Sequence, residues 1–168
     1  MELTALILEQ IDREAVLTRR ALERVPEGKN DWKPHEKSMP LGILAHMIAT
    51  MPSWIAMIVN QNELDVAPKE GKEQAPLTLN SVQELVQAHD KAVADARDAV
   101  RKTSEAHLQT PWKLLAGGNV AMETSRYRFI LDNFTHLAHH RGQLTVYLRL
   151  NGTPVPSMYG PTADDPRF

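Results

Sequence analysis

"NFTHLAHHRGQLTVYLRLNG", Asn133 to Gly152, decides how the rest of the chain is read. Apolar residues recur in it at three- and four-residue spacing, so it belongs to a helix, and Asn-Gly ends it. The same periodicity carries back to about Ser125, which makes this a long helix over Ser125–Leu150. On a helical wheel, Ile130, Phe134, Leu137, Ala138, Leu144 and Leu148 share one sector. Phe129, Asn133, His136, His140, Gln143 and Tyr147 share another. Three of the chain's 7 histidines lie within five positions of this stretch. His136 and His140 are four apart, so their rings stand over one another on one face. His139 points away from that pair, toward Asp132 and solvent.

Working outward, three more helical patterns appear. The first covers about Leu3 to Val25, with Leu8, Ile11, Ala15, Leu22 and Val25 on one face, and Pro26 and Gly28 stop it. The second begins at Pro40 and runs to about Asn60. It carries one stripe of Leu41, Leu44, Ile48, Met51, Ile55 and Ile58 and another of Ile43, Met47, Trp54 and Met57. A helix apolar on most of its surface lies between other elements, and Pro52 is expected to kink it. The third covers about Val82 to Ala106, capped by Asn80 or Ser81, with His89 expected at the rim of the core.

Between these helices, "EGKNDWKPHEKSM" reads as a loop with Trp32 as a packing plug. Residues 61–78 read as a loop. Two short segments around Gly117-Gly118-Asn119 read as a small β-hairpin or an extended loop. The tail from Thr153 holds four prolines and cannot be helical, so it lies extended on the surface or across a partner. The reading is one domain over 1–168, all-α, a four-helix bundle with long loops and a possible short β-hairpin before the last helix.

Composition narrows the function classes. The 168 residues are 42% hydrophobic and 24% charged with a net charge of -2, the profile of a soluble globular protein with no general attraction to nucleic acid or anionic membrane. No cysteine is present. Disulfides, thiolate metal sites and cysteine nucleophiles are therefore excluded. The N-terminus shows no signal-peptide pattern, and the apolar run Met39–Val59 is interrupted by His46, Thr50, Pro52 and Ser53. A cytoplasmic protein with no membrane span is expected.

An H-x3-H pair on a helix is a common metal clamp. It is also a common surface pair, and spacing alone does not separate the two. Two imidazoles need a third ligand to hold a divalent ion firmly. His46 is the candidate, because it is the strongest polar group in the apolar second helix and a buried imidazole needs a partner. "HLAHH" lacks the glutamate of the HExxH metalloprotease motif. No Ser-His-Asp arrangement and no phosphate-binding glycine loop is readable. Asn133, Gln143 and Tyr147 are candidates for contacting ligands or substrate, with helix–helix hydrogen bonding as the equal alternative. Asp132 is a candidate base acting through water. Arg141 falls in the core-facing sector and is expected in a salt bridge.

"DWKPHEKSMPLGILAHM" (31–47), "LGILAHMIATMPSWI" (41–55) and the ending HHRGQL-x-VYLR-x-x-G-x-PVP-x-x-YG (139–160) resemble the DinB-like superfamily along nearly the whole chain. The resemblance implies an up-down-down-up four-helix bundle, commonly a homodimer. It also implies a divalent metal, zinc or nickel among others, held at positions matching His46, His136 and His140. Some relatives resemble S-transferases or isomerases that use a low-molecular-weight thiol. The implied function is a metal-dependent enzyme, foremost a thiol-dependent S-transferase acting on a small molecule with a thiol cosubstrate. The alternatives are a metal-dependent hydrolase or a non-catalytic metal-binding stress-response protein.

Overall fold

The computed structural model of the chain describes residues 2–68 and 81–167. It is mostly helical: α1 (Leu3–Leu22), α2 (Leu41–Thr50), α3 (Ser53–Asn60), α4 (Val82–Lys102), α5 (Glu105–Leu108) and α6 (Arg126–Leu150). Three strands, β1 (Glu63–Asp65), β2 (Pro111–Ala116) and β3 (Asn119–Ser125), form a small sheet in the order β1-β2-β3.

The helices differ from their sequence reading at their ends and breaks. The second pattern is two helices, because the run is bent by 50° between Thr50 and Ser53. Pro52 has no N–H to continue the ladder. The freed turn closes instead through Trp54 N–H to Met51 O at 3.0 Å and Ile55 N–H to Pro52 O at 3.1 Å. The stripe is intact through the bend: Leu41, Leu44, Ile48, Met51, Ile55 and Ile58 are all buried. The third pattern stops at Lys102, and Ser104 starts the separate turn α5 by accepting from His107 N–H. Ser81 caps α4 by accepting from Glu84 N–H, whereas Asn80 lies outside the described residues.

The chain is therefore not all-α. The hairpin is present, with Gly117 and Gly118 at φ +62 and +80, the left-handed pair that a two-residue turn between twisted strands demands. The correction is β1, inside the segment read wholly as loop. It pairs in parallel with β2, Leu64 opposite Leu114. Asp65 pins this edge to the turn, its carboxylate accepting from the N–H groups of Ala67, Gly117 and Gly118. These bonds, Ala67's first, hold its pKa below the usual carboxylate range. Residues 69–78, the remainder of that expected loop, lie outside the described residues.

The buried side chains form two clusters. One gathers α1's C-terminal half, α2 and the end of α6, with Trp32 packed against it. Trp32 stands edge-on to Tyr147, ring centroids 5.4 Å apart. The other gathers Ile7, Ile11, α3, much of α4, Trp112 and the start of α6. Between them run buried polar groups. Arg141 pairs with Glu14 at 2.5 Å, their side chains 1% and 4% exposed, and donates to Thr18 Oγ1 at 2.7 Å. His89, expected at the rim, is instead 1% exposed, with Nε2 3.1 Å from Ala15 O. Burial lowers its pKa, so the ring is neutral.

The tail folds back on the helices. Tyr159 reaches the Arg141–Glu14 pair, its hydroxyl donating to Glu14 Oε2 at 2.9 Å and meeting Arg141. Asp164 accepts from Val155 N–H and pairs with Arg149, and Asp165 accepts from Ser157 N–H. No single helix among the described residues is long and apolar enough to cross a membrane. α2 and α3 have that length and composition only when taken together across their bend.

Candidate functional site

α6 places His136 and His140 one turn apart, as helical spacing requires. Their rings are tilted, centroids 4.5 Å apart, and the two Nε2 atoms face each other at 2.7 Å. Two imidazole nitrogens approach this closely only when one bears a proton and the other a lone pair. Gln143 assigns the proton on His140. Its Oε1 lies 2.8 Å from Nδ1, so that nitrogen is the donor, and in the neutral ring the Nε2 lone pair accepts from His136 Nε2–H. The Gln143 amide is oriented in turn by donating to His139 Nε2 at 3.1 Å. His139, exposed, is thus an anchor for Gln143 and no member of the pair. The pKa of His136 is lowered by burial, then by the neighbouring His140 and His139, which keeps it neutral.

His46 lies on α2, with its Nδ1 buried and without a hydrogen-bond partner. Burial lowers its pKa as well. Two hydrogen bonds fix how α2 runs along α6: Asn133 Nδ2 donates to Met51 O at 3.3 Å and Tyr147 O–H donates to Met39 O at 3.2 Å. Among the described residues, however, no three His, Asp or Glu side chains come together closely enough to hold a metal ion.

The donor types are those of a zinc-like divalent ion: two imidazoles one turn apart on α6, with Gln143 orienting His140, and on α2 an imidazole whose buried Nδ1 has no partner. Nitrogens sharing a tetrahedral ion stand roughly 3.3 Å apart, given metal–nitrogen bonds of about 2.0–2.1 Å. At 2.7 Å the His136–His140 contact is a hydrogen bond, and the rings must part to share an ion.

The other expected site residues divide. Tyr147 is buried against Trp32 and bonded to Met39 O, a helix–helix tie. Asn133 ties α6 to the bend at Pro52 through Nδ2, while its Oδ1, buried, has no partner. Asp132 is exposed and only loosely paired with Arg128, 3.8 Å away.

Beside His136 a cavity of about 540 Å³ opens, one the sequence did not announce. Its helical walls are Trp54, Met57 and Ile58 of α3 and Phe129, Asp132, Asn133 and His136 of α6. The sheet closes it with Leu64, Val66, Trp112, Leu114 and Met122. Alternation on β2 puts Trp112 and Leu114 on one face, and Met122 is the cross-strand partner of Leu114. That alternation was readable. The parallel partner β1, fifty residues earlier and three residues long, was not. Trp54 joins cavity and histidines, its ring 5.7 Å from that of His136. Arg126 anchors this wall. Its buried guanidinium donates to the carbonyls of Ile58 and Gln61 at the end of α3 and, at 2.7 Å, to Asn62 Oδ1.

The model of the DinB family matches residues 1–167. The fold is similar to that of a DinB-like protein from Bacillus cereus, with a TM-score of 0.71 and 21% identity over 91% of this chain and 95% of that one. It is also similar to a DinB-like protein from Bacillus subtilis, with a TM-score of 0.65 and 18% identity over 88% and 92%. No curated protein sequence matches the chain.

Proposed function

Because the chain belongs to the DinB family, we propose that it is a metal-dependent enzyme whose divalent ion is held by His46, His136 and His140, and that it transfers a low-molecular-weight thiol to a small electrophile. The observation that carries this reading is the facing pair of Nε2 atoms with the His140 tautomer set by Gln143. The proposal includes a single up-down-down-up four-helix bundle, with α2 and α3 as its one bent member.

A zinc or nickel ion held by His46, His136 and His140 would supply the Lewis acidity that favours deprotonation of a cosubstrate thiol at neutral pH. The chain has no cysteine, so the sulfur is a cosubstrate's. Sulfur forms a bond to the electrophilic carbon, the leaving group departs with its bonding pair, and the thiol proton passes to solvent. Gln143 holds His140 in the ligating tautomer, and the cavity beside His136 excludes water from one side. A second reading, a metal-dependent hydrolase, is favoured by Asp132, an exposed carboxylate that lines the cavity beside His136 and is only loosely paired with Arg128. Ile43 of α2 and Val146 and Leu150 of α6 are exposed on helices that contact each other. They are the surface for the proposed homodimer, and a monomer mass at micromolar concentration would end that part of the reading.

Metal analysis of purified protein tests the ligand set. About one divalent ion per chain is expected in the wild type and none in His46→Ala. Gln143→Leu is expected to weaken metal affinity about 10- to 100-fold. Full occupancy in His46→Ala would show that the third ligand is another residue. A panel of thiols and electrophiles giving no metal-dependent thiol consumption would remove the transferase reading, and ester hydrolysis sensitive to Asp132→Asn would put the hydrolase in its place.

A further inference from the structure

The cavity beside His136 has the build of a ligand site. Its volume of about 540 Å³ falls in the range of small-molecule pockets, which are mostly apolar with a few polar groups that fix orientation. Two large apolar side chains on its wall, Val66 and Met122, are left 59% and 50% exposed. Exposed apolar side chains at the edge of a concavity are a feature of ligand-binding grooves.

The polar groups lie together at one end, on a single turn and a half of α6: Asp132, Asn133 and His136. Asn133 is 5% exposed, and its Nδ2 is committed to Met51 O. Its Oδ1 has no partner. Turning the amide over would set oxygen against the Met51 carbonyl, so the unpaired atom is the oxygen. That oxygen is closed off from solvent, so the acceptor a ligand N–H or O–H can reach at this end is the exposed Asp132 carboxylate. The same carboxylate disfavours an anionic ligand there.

We infer that this cavity binds an uncharged, aromatic-sized apolar molecule carrying one hydrogen-bond donor, oriented with the donor toward Asp132. The inference rests on the proposed function in one respect, that this molecule is the thiol's electrophilic partner. Binding of the apolar body itself needs no metal.

N-phenyl-1-naphthylamine is a suitable probe. It is neutral, carries a single N–H, and fluoresces strongly only out of water. With full-length, metal-free protein, saturable binding of one probe per chain is expected. Leu114→Trp and Met57→Trp, which fill the cavity from the sheet and from α3, should each weaken it at least tenfold. Circular dichroism and unchanged melting temperature identify which of these variants is folded. Ile43→Asp, which removes an exposed apolar residue elsewhere, should leave binding within about twofold. 1-Phenylnaphthalene, lacking the N–H, should bind more weakly to the wild type, with the difference lost in Asp132→Leu. Non-saturable binding, equal binding to the folded filled variants, or loss in Ile43→Asp would overturn the inference. Probe binding without any metal uptake would sink the three-histidine reading alone, and metal uptake without probe binding would sink this one alone.

Discussion

Replacing Arg141 by methionine tests whether the buried polar row holds the helices in register. In the folded chain the guanidinium meets Glu14 Oε2 at 2.5 Å, Thr18 Oγ1 at 2.7 Å and the Tyr159 hydroxyl, with both charged side chains almost wholly buried. Methionine fills a similar volume, so the cost is chiefly the stranded Glu14 carboxylate. That carboxylate keeps only the Gln10 amide and Tyr159 hydroxyl, each at 2.9 Å. Breaking a buried pair from one side costs about 3–5 kcal/mol, which for a chain of this size lowers the melting temperature by roughly 6–20 °C. Removing both charges, as in Glu14→Leu with Arg141→Met, leaves apolar groups against apolar groups and should recover most of the loss. Tyr159→Phe removes one hydroxyl and should cost about 1 kcal/mol. Urea unfolding of the wild type, Arg141→Met, Glu14→Leu and the double variant gives the coupling directly. A loss under about 1 kcal/mol in Arg141→Met, or single-variant losses that simply add in the double variant, would refute the reasoning.

Gly42→Ala should destabilise the protein by about 1–2 kcal/mol in urea, although alanine favours helix. The new Cβ would stand 2.9 Å from Asn30 Cβ and 3.1 Å from its Cα, and overpacking of this kind outweighs the propensity gain. His89 makes stability fall with acid. Burial lowers its folded pKa below the 6.5 of the unfolded chain. Its contribution is therefore complete above that value and is lost as pH falls through it toward the folded pKa. His89→Gln should flatten the slope of unfolding free energy below pH 6.5, by at most about 1.4 kcal/mol per pH unit, the limit for one proton. An unchanged slope would mean that other groups carry the acid sensitivity.

The helices were legible because their apolar periodicity is set by burial, and every residue of the Leu41–Ile58 stripe is buried. Their breaks were less so. Pro52 announced a bend, but the stop at Lys102 depends on Ser104 beginning a new turn, a local choice between two continuations. The His136–His140 pair followed from helix geometry alone. The bonding order around it did not, because Gln143 bridges His140 and His139 through rotamers that spacing does not specify. His89 was misplaced at the rim because its position on α4 does not reveal Ala15 O packed against it from α1. The cavity was invisible for a similar reason. It is walled by β1, whose three residues gain strand character only from β2.

The 50° turn at Pro52 has a further consequence. One apolar stretch of sequence supplies both His46, before the turn, and Trp54 and Met57, after it. The backbone angles at residues 51–53 therefore act as a ruler between the histidines and the cavity. Altering that angle by a few degrees would shift the cavity wall relative to His46 without replacing a single side chain in either. Asn133, gripping Met51 O from α6, is the stop that fixes the setting.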